Sequence, residues 1–297
     1  MLIPTRYGGN LLRKCVKSVV ENGPSGLQIV IVADGDPDLG TILEEFSGKG
    51  LELVRVGPSK GFCHSVNRGL AIVRYDWVQL LNDDAFVKPG WFPSLMEAAK
   101  ENQIAAVAPL VLQDRPGNWV DSAGDTVNLW GRICKRYRNK SALRVPREVH
   151  PVLACGGCAG FFRVKALAQI GGWDEKFIAY FDDIDVSLRL REAGWQIVCQ
   201  PKSVVVHLGG KSYGPPKGPL MELQARNEEW IFLRYPSGVF GANFVRFIWN
   251  SVRLLLHVTR GTASDFLKGK REARKGLSVE SMRKSKLYDR RTWPWGS

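Results

Sequence analysis

A rhythm in the first third of the chain constrains its fold more than any other feature. Leu2-Ile3-Pro4-Thr5-Arg6 reads as the end of a short strand. From Asn10, the apolar residues Leu11, Cys15 and Val19 recur at four-residue steps, a helix face with Asn10 placed to cap it, and Gly23-Pro24 breaks it. Residues 27–32 are a continuous apolar strand ending in Ala33-Asp34-Gly35-Asp36. Leu39, Ile42, Leu43 and Phe46 mark a second helix, Leu51–Val56 a third strand, Phe62, Val66, Leu70 and Val73 a third helix, and residues 77–81 a fourth strand. Strands alternating with helices at intervals of roughly 25 residues make the βαβ units of an open, mostly parallel α/β sheet.

In such a sheet, ligands sit outside the carboxyl ends of the strands. Three polar clusters fall there: Thr5-Arg6, Asp34-Gly35-Asp36 and Asn82-Asp83-Asp84. Asn82 and Asp84 are two residues apart, so in extended chain they face one way. An amide carbonyl and a carboxylate on one side form a hard-oxygen site for Mg²⁺ or Mn²⁺. The same triad also reads as a strand-end turn with solvated acids. Neither G-x-G-x-x-G nor G-x-x-x-x-G-K-[ST] occurs, which argues against a dinucleotide fingerprint and a P-loop. Asp34 is placed to accept from a pyrimidine N–H or a ribose hydroxyl.

Beyond the first sheet, Trp91, Phe92, Leu95, Met96 and Ala99 mark a helix and residues 104–108 a strand. Residues 113–147 are polar, rich in turn formers, with aromatic pieces such as Trp130; they read as a hairpin with mobile loops. Such loops suit recognition of a second substrate, or form an ordinary surface excursion. Residues 152–164 form a strand region of small side chains, and Val164–Ile170 is a helix. A second acidic cluster follows, Asp182-Asp183-Ile184-Asp185, with Asp182 capping a helix and Asp183 in its first turn. The helix dipole lowers the pKa of Asp183 and partial burial raises it; an ionised, poorly solvated carboxylate is what a general base needs. Acids also favour first helical turns for purely structural reasons. Residues 196–199 and 203–206 read as two short strands around Pro201, closed by His207, either a structural histidine or a third metal ligand.

The order of these pieces resembles the family 2 inverting glycosyltransferases with a GT-A fold, particularly bacterial rhamnosyltransferase-like members. The resemblance covers about residues 2–235 and rests on Pro4-Thr5-Arg6, Val32-Ala33-Asp34-Gly35, Lys60-Gly61-Phe62 with Asn67-Arg68-Gly69, Leu80-Leu81-Asn82-Asp83-Asp84, Gly156-Gly157-Cys158-Ala159-Gly160, Gly171-Gly172-Trp173-Asp174, the Asp182 to Arg191 helix, Gly194-Trp195 and His207. It implies that Asp183 is the catalytic base, and that Asn82, Asp84 and His207 hold Mg²⁺ or Mn²⁺. It implies a dTDP- or UDP-sugar donor bound through Thr5, Arg6, Asp34, Lys60, Gly61, Asn67 and Asp83. It implies a glycan or lipid-linked acceptor bound near Gly157, Trp173 and Asp182. Two positions depart from the family pattern: Asn82 stands where an acid usually begins the metal motif, and Ala33 where an acid often precedes Asp34.

The expected organisation is a catalytic domain over residues 1–235, with a nucleotide-sugar half (1–112) and an acceptor half (113–235), then an extension over 236–297. In the extension, Phe240, Phe244, Phe247, Ile248, Val252, Leu255 and Leu256 repeat at three and four residues, a helix lying in a membrane interface or packed on the catalytic domain. The formal net charge is +13, and between Lys268 and Arg291 ten Lys/Arg face three acids. Such a tail attracts phosphates, here read as an anionic membrane surface rather than nucleic acid. Trp293-Pro294-Trp295 is read as a disordered end or as interfacial aromatics. Of the six cysteines, the Cys155-Gly-Gly-Cys158 pair lacks a second C-x-x-C and is read as packing. Met1 leads directly into Leu2-Ile3-Pro4, and no long uncharged apolar run occurs. The expectation is a cytoplasmic enzyme, peripheral on the inner face of the membrane. A sugar-phosphate nucleotidyltransferase, a non-catalytic basic binding module and an inactive transferase-like protein are the competing readings.

Overall fold

The computed structural model describes residues 1–127, 133–209, 217–235 and 242–275. The expectations for Trp130, Phe240 and the tail beyond residue 275 lie outside the described residues, as do the side chains of Phe244 and Phe247. The chain divides into two compact units: residues 1–126, 135–178 and 182–212, and residues 127–134, 179–181 and 213–297. The segment 213–235, grouped by the sequence with the catalytic domain, thus falls in the second unit.

The first unit opens with β1 (Leu2–Thr5), α1 (Gly9–Asn22), β2 (Ile29–Asp34), α2 (Gly40–Glu45), β3 (Leu51–Val56) and α3 (Phe62–Leu70). These strands pair in parallel in the order β1-β2-β3, with Thr5 opposite Ala33 and Asp34 opposite Val56. The strand ends at Thr5 and Asp34 therefore share one rim. Every residue of β1 and β2 is buried, as expected of a strand covered on both faces.

The chain continues through β4 (Trp77–Gln79), β5 (Ala85–Val87), α4 (Trp91–Ala98), β6 (Ile104–Gln113) and β7 (Val120–Ser122). A parallel bridge from Leu2 to Leu80 joins β1 to the end of β4. Next come β8 (Asp125–Val127), β9 (Ile133–Lys135), β10 (His150–Pro151), β11 (Phe161–Arg163), α5 (Val164–Ile170), α6 (Asp182–Glu192) and β12 (Gln196–His207). The second sheet runs β10-β12-β6-β11-β4, with β5 on β12 and β7 on β6. Here β6 and β12 are parallel, and β11, β5, β7 and β10 pair antiparallel. The two strands expected around Pro201 are one strand: its register against β6 shifts between Gln200 and Val204, and that bulge accommodates the proline.

The main core lies between α1, α4 and the sheets, around Leu12, Ile31, Trp91, Leu95 and Phe161. Cys15, Cys63, Cys155 and Cys199 are buried and all six cysteines are free, in keeping with their reading as small hydrophobes.

The second unit contains α7 (Pro219–Arg234), α8 (Ala242–Thr259) and α9 (Ala263–Lys275). α7 and α9 approach closely at Gly269, where an added Cβ would stand 2.2 Å from the Glu222 carbonyl. Glu228 is clamped between Arg253 and Lys270, and Lys270 also lies 3.0 Å from Glu229. Burial works to raise the Glu228 carboxyl, but Lys270 and Arg253 prevail and hold it at about 2. Among the described residues, no helix is long and apolar enough to cross a membrane.

Candidate active site

β4 delivers Leu80 and Leu81 into the core, and the chain then turns at Asn82-Asp83-Asp84 before β5. The Thr5 hydroxyl donates to Asp83 Oδ2 at 2.6 Å and accepts from the Gly8 N–H at 3.0 Å. The first and third polar clusters are thereby joined. Burial, with Asp84 adding to it, pushes the Asp83 carboxyl up against that hydrogen bond.

Asp84 is 3% exposed and meets His207, which closes β12: Oδ1 to Nε2 is 3.3 Å. Antiparallel pairing of β5 with β12 sets Ala85 opposite His207 and so fixes this meeting. The other ring nitrogen, Nδ1, lies 3.2 Å from Asp121 Oδ2. Asp121 accepts from Lys135 Nζ at 2.8 Å and has Arg138 Nε at 3.6 Å. Burial opposes the imidazolium, but Cys158, Asp121 and Asp84 outweigh it and push His207 up to about 12. His207 and Lys135 hold Asp121 well below the usual carboxylate range in spite of its burial.

Donors on one octahedral cation with bonds of about 2.1 Å stand about 3 Å apart, so Asp84 Oδ1 and His207 Nε2 are spaced as neighbouring ligands. A carboxylate behind the second imidazole nitrogen is the usual support of a metal-binding histidine. Among the described residues, no three His, Cys, Asp or Glu side chains group as a cation site. The hard oxygen and imidazole donors fit Mg²⁺ or Mn²⁺.

At the head of α6, Asp183 Oδ2 accepts from the Gly157 N–H at 2.8 Å and Oδ1 from the Ile184 N–H at 2.9 Å. Burial raises the Asp183 carboxyl, and these two N–H groups pull against it. The residue after Gly157 ties the first acidic turn to the second: the Cys158 carbonyl accepts from the Asn82 N–H at 2.8 Å. Asp125, at the start of β8, is 4% exposed and flanks Asp183. Burial and the Asp183 charge push Asp125 up to about 8. Gly156 faces both acids: a Cβ there would stand 3.7 Å from Asp125 Oδ2 and 3.9 Å from Asp183 Oδ2.

Ile178, Tyr180 and Phe181, just before this helix, adopt φ of 64°, 67° and 60°. Non-glycine residues rarely occupy that region, and such strain clusters at functional sites. Gly61 (φ 99°) is fitted against Ile178, where a Cβ would meet its Cγ2 at 2.5 Å, and the Cys63 N–H donates to the Ile178 carbonyl at 3.0 Å.

The remaining expected residues fall into two groups. Asp34 is 6% exposed; Ser59 donates to its Oδ2 at 2.7 Å, and among the described residues Oδ1 has no hydrogen-bond partner. Arg6 and Lys60 are exposed on the rim side of their strands and Asp182 is buried. Asn67 and Trp173 form an internal latch: the Asn67 amide donates to the Trp173 carbonyl and accepts from its N–H, both at 2.9 Å. The Trp173 ring is 2% exposed and packs edge-on against Phe162. The Trp173 Nε1 is buried and has no hydrogen-bond partner among the described residues. Asp121 and Asp125 were missed from the sequence; the alternation Val120-Asp121-Ser122 and the turn Ala123-Gly124 before Asp125 are the signals that mark them.

The family model described as "Glycosyltransferase like family 2" matches residues 1–228. The chain is 28% identical over 210 residues to the N-acetylglucosaminyl-diphospho-decaprenol L-rhamnosyltransferase of Mycobacterium tuberculosis, covering 62% of this chain and 66% of the relative. It is 27% identical over 213 residues to the pre-mycofactocin glycosyltransferase of the same organism, covering 70% of this chain and 42% of that protein. The chain thus spans less than two thirds of either relative. Among solved structures, the fold matches GalNAc-T7 with UDP, GalNAc and Mn²⁺ at a TM-score of 0.61 and 16% identity, over 78% of this chain and 49% of that one. It matches the mannosyltransferase PcManGT of Pyrobaculum calidifontis with GDP-Man and Mn²⁺ at 0.56 and 15%, over 94% and 76%. With a family match over most of its length and a GT-A architecture beneath it, the chain belongs to the glycosyltransferase-like family 2.

Proposed function

We propose that the protein moves a sugar from a nucleotide-diphospho-sugar to an acceptor hydroxyl with inversion, assisted by Mg²⁺ or Mn²⁺, in the synthesis of a cell-surface polysaccharide or glycolipid. The observation that carries this reading is the tie between the two acidic turns: Gly157 holds Asp183 and Cys158 holds Asn82 through adjacent peptide groups. A base and a cation site held in register are what a single displacement at an anomeric carbon requires.

Each residue then has a role. Asp34 Oδ1, buried without a donor, is placed to accept from the base or ribose of the nucleotide. Thr5 and Asp83 shape the floor beneath the diphosphate, with Arg6 and Lys60 supplying charge at the rim. Asp84, His207 and Asn82 would hold the cation, which when bound offsets charge on the leaving diphosphate. Asp121 fixes the His207 ring from behind. Asp183 accepts the proton of the acceptor hydroxyl as its oxygen attacks. Burial and the Asp183 charge push the Asp125 carboxyl up, which favours its neutral form beside the base. No covalent sugar–enzyme intermediate is required.

The mycobacterial relative named above acts on a diphospho-decaprenol-linked sugar, which supports a lipid-linked acceptor here. The reading includes a dTDP- or UDP-linked donor and a place of work on the inner face of the cytoplasmic membrane. Family membership sets aside the non-catalytic binding module. The test is a thermal-shift panel of UDP-, dTDP- and GDP-sugars with and without Mn²⁺. A shift with one nucleotide that requires the metal is expected; no shift with any donor in either condition overturns the reading.

A further inference from the structure

The C-terminal half of α8 turns apolar side chains outward as well as inward, where Leu254 packs on Met221, Ala225 and Phe266. Its inward side carries His257, which is 7% exposed, stacks on Phe266 of α9 and accepts or donates at Nδ1 to Thr262 at 2.9 Å. Arg253 also points inward, over the Phe266 ring and onto Glu228. The outward side carries Ile248, Val252, Leu255 and Leu256, exposed by 48, 42, 67 and 47%. These positions follow i, i+4, i+7 and i+8, one continuous stripe of a helix. A helix at a water-facing surface normally turns polar side chains outward, and a contiguous exposed apolar stripe marks an interaction site.

The chemistry around the stripe selects the partner. The turn after α8 exposes Arg260, and α9 exposes Lys268, Arg271, Arg274 and Lys275; Lys268 pairs with Glu222 at 2.7 Å, Arg274 with Glu229 at 3.7 Å and Lys275 with Glu272 at 3.2 Å, while Arg260 and Arg271 have no ion pair among the described residues. Leu267 and Arg271 lie at i and i+4, so α9 also turns an aliphatic and a cation outward together. Aliphatic side chains for the acyl boundary with arginine and lysine for the headgroups are the features of a helix lying in an interface. A protein partner of matching hydrophobicity would not call for the cations.

We propose that the α8–α9 hairpin docks on an anionic lipid bilayer, with Val252, Leu255 and Leu256 entering the headgroup–acyl boundary and the α9 cations meeting lipid phosphates. The hairpin lies wholly within the second unit, so the proposal stands or falls apart from the donor site.

The test uses the full chain in sedimentation with vesicles of phosphatidylcholine alone or with about 30% phosphatidylglycerol. Binding at least about tenfold tighter to the anionic vesicles is expected, weakening with salt. Val252→Asp/Leu255→Asp should lose at least about tenfold of that binding while keeping its melting temperature. Should that variant unfold, Leu255→Ser/Leu256→Ser replaces it with the same expectation. Equal binding to neutral vesicles, no binding to either, or wild-type binding by a folded variant overturns the proposal. So does a wild-type dimer that these substitutions dissociate, because a second copy of the chain would then cover the stripe.

Discussion

The Gly157 N–H donates to Asp183 Oδ2 at 2.8 Å, and this bond holds a half-buried carboxylate with one edge toward Gly156. A base so placed needs no help from a side-chain partner to keep its orientation. Asp183→Asn keeps the size and can still accept at one oxygen, so the fold and donor binding should survive. Loss of the proton acceptor should lower kcat by about 10² to 10⁴. Steady-state kinetics beside a donor-binding isotherm check this; parallel loss of both would make Asp183 structural.

Asp121 acts through His207 and not on substrate. Asp121→Asn weakens the orienting charge behind Nδ1, and a lost outer partner of a metal-ligating histidine typically costs 10- to 100-fold in affinity. Mn²⁺ titration by calorimetry or electron spin resonance should show that loss, with the fold unchanged. Lys135→Met, which removes the ion pair holding Asp121, should move affinity the same way and less.

Asp125 makes stability depend on pH. Its carboxyl rises on folding from the ordinary range near 4 to about 8, so the folded state binds more protons across that interval. The stabilisation of the protonated form is complete below pH 4 and is lost as pH climbs toward 8. The melting temperature should therefore fall between pH 5 and about 8, and Asp125→Asn should flatten the slope. Asp182, raised by burial and by Asp183, adds in the same direction and remains in that variant, so the slope should shrink and not vanish.

Gly156→Ala should fold, because the new methyl meets nothing closer than 3.7 Å. It would occupy the space between Asp125 and Asp183 where an acceptor hydroxyl must enter. The expected result is a raised acceptor KM and a lowered kcat with donor affinity unchanged.

Gly269→Ala is the contrasting case. Its methyl would stand 2.2 Å from the Glu222 carbonyl and 2.9 Å from Ala225 Cβ, so α7 and α9 must separate. Overpacking of this kind costs typically 1–3 kcal/mol and here should reach at least the upper end. Chemical denaturation of the wild type and variant measures it.

How much of this was legible in the sequence depends on the range of the interactions. The β1 to α3 alternation could be read because its strands are buried on both faces and its helices carry one apolar face; local pattern and final environment agree. Asp34 could be placed because it ends such a strand, and Asn82 and Asp84 because they lie in the turn that follows β4. β12 was split at Pro201 because nothing local shows that β6 supplies a partner on both sides of a bulge. Asp121 and Asp125 were hidden for a related reason. β7 and β8 are three residues each, too short for a period, and owe their existence to pairing with β6 and bridging to Ala154. Asn67 and Trp173 were recognisable as a motif, but the hydrogen bonds between the Asn67 amide and the Trp173 backbone join residues too far apart in sequence to be read locally.

The peptide link from Gly157 to Cys158 leaves little freedom between the proton acceptor and the metal turn. Any drift of one is transmitted to the other, as with two jaws mounted on a single short bar. A change of sugar or acceptor within this scaffold is then expected to come from residues that border the gap, not from altering its width. Evolution of new specificity should accordingly leave 156–158 untouched, and with them Asp121, Asp125 and Lys135 in the segment between β6 and β10.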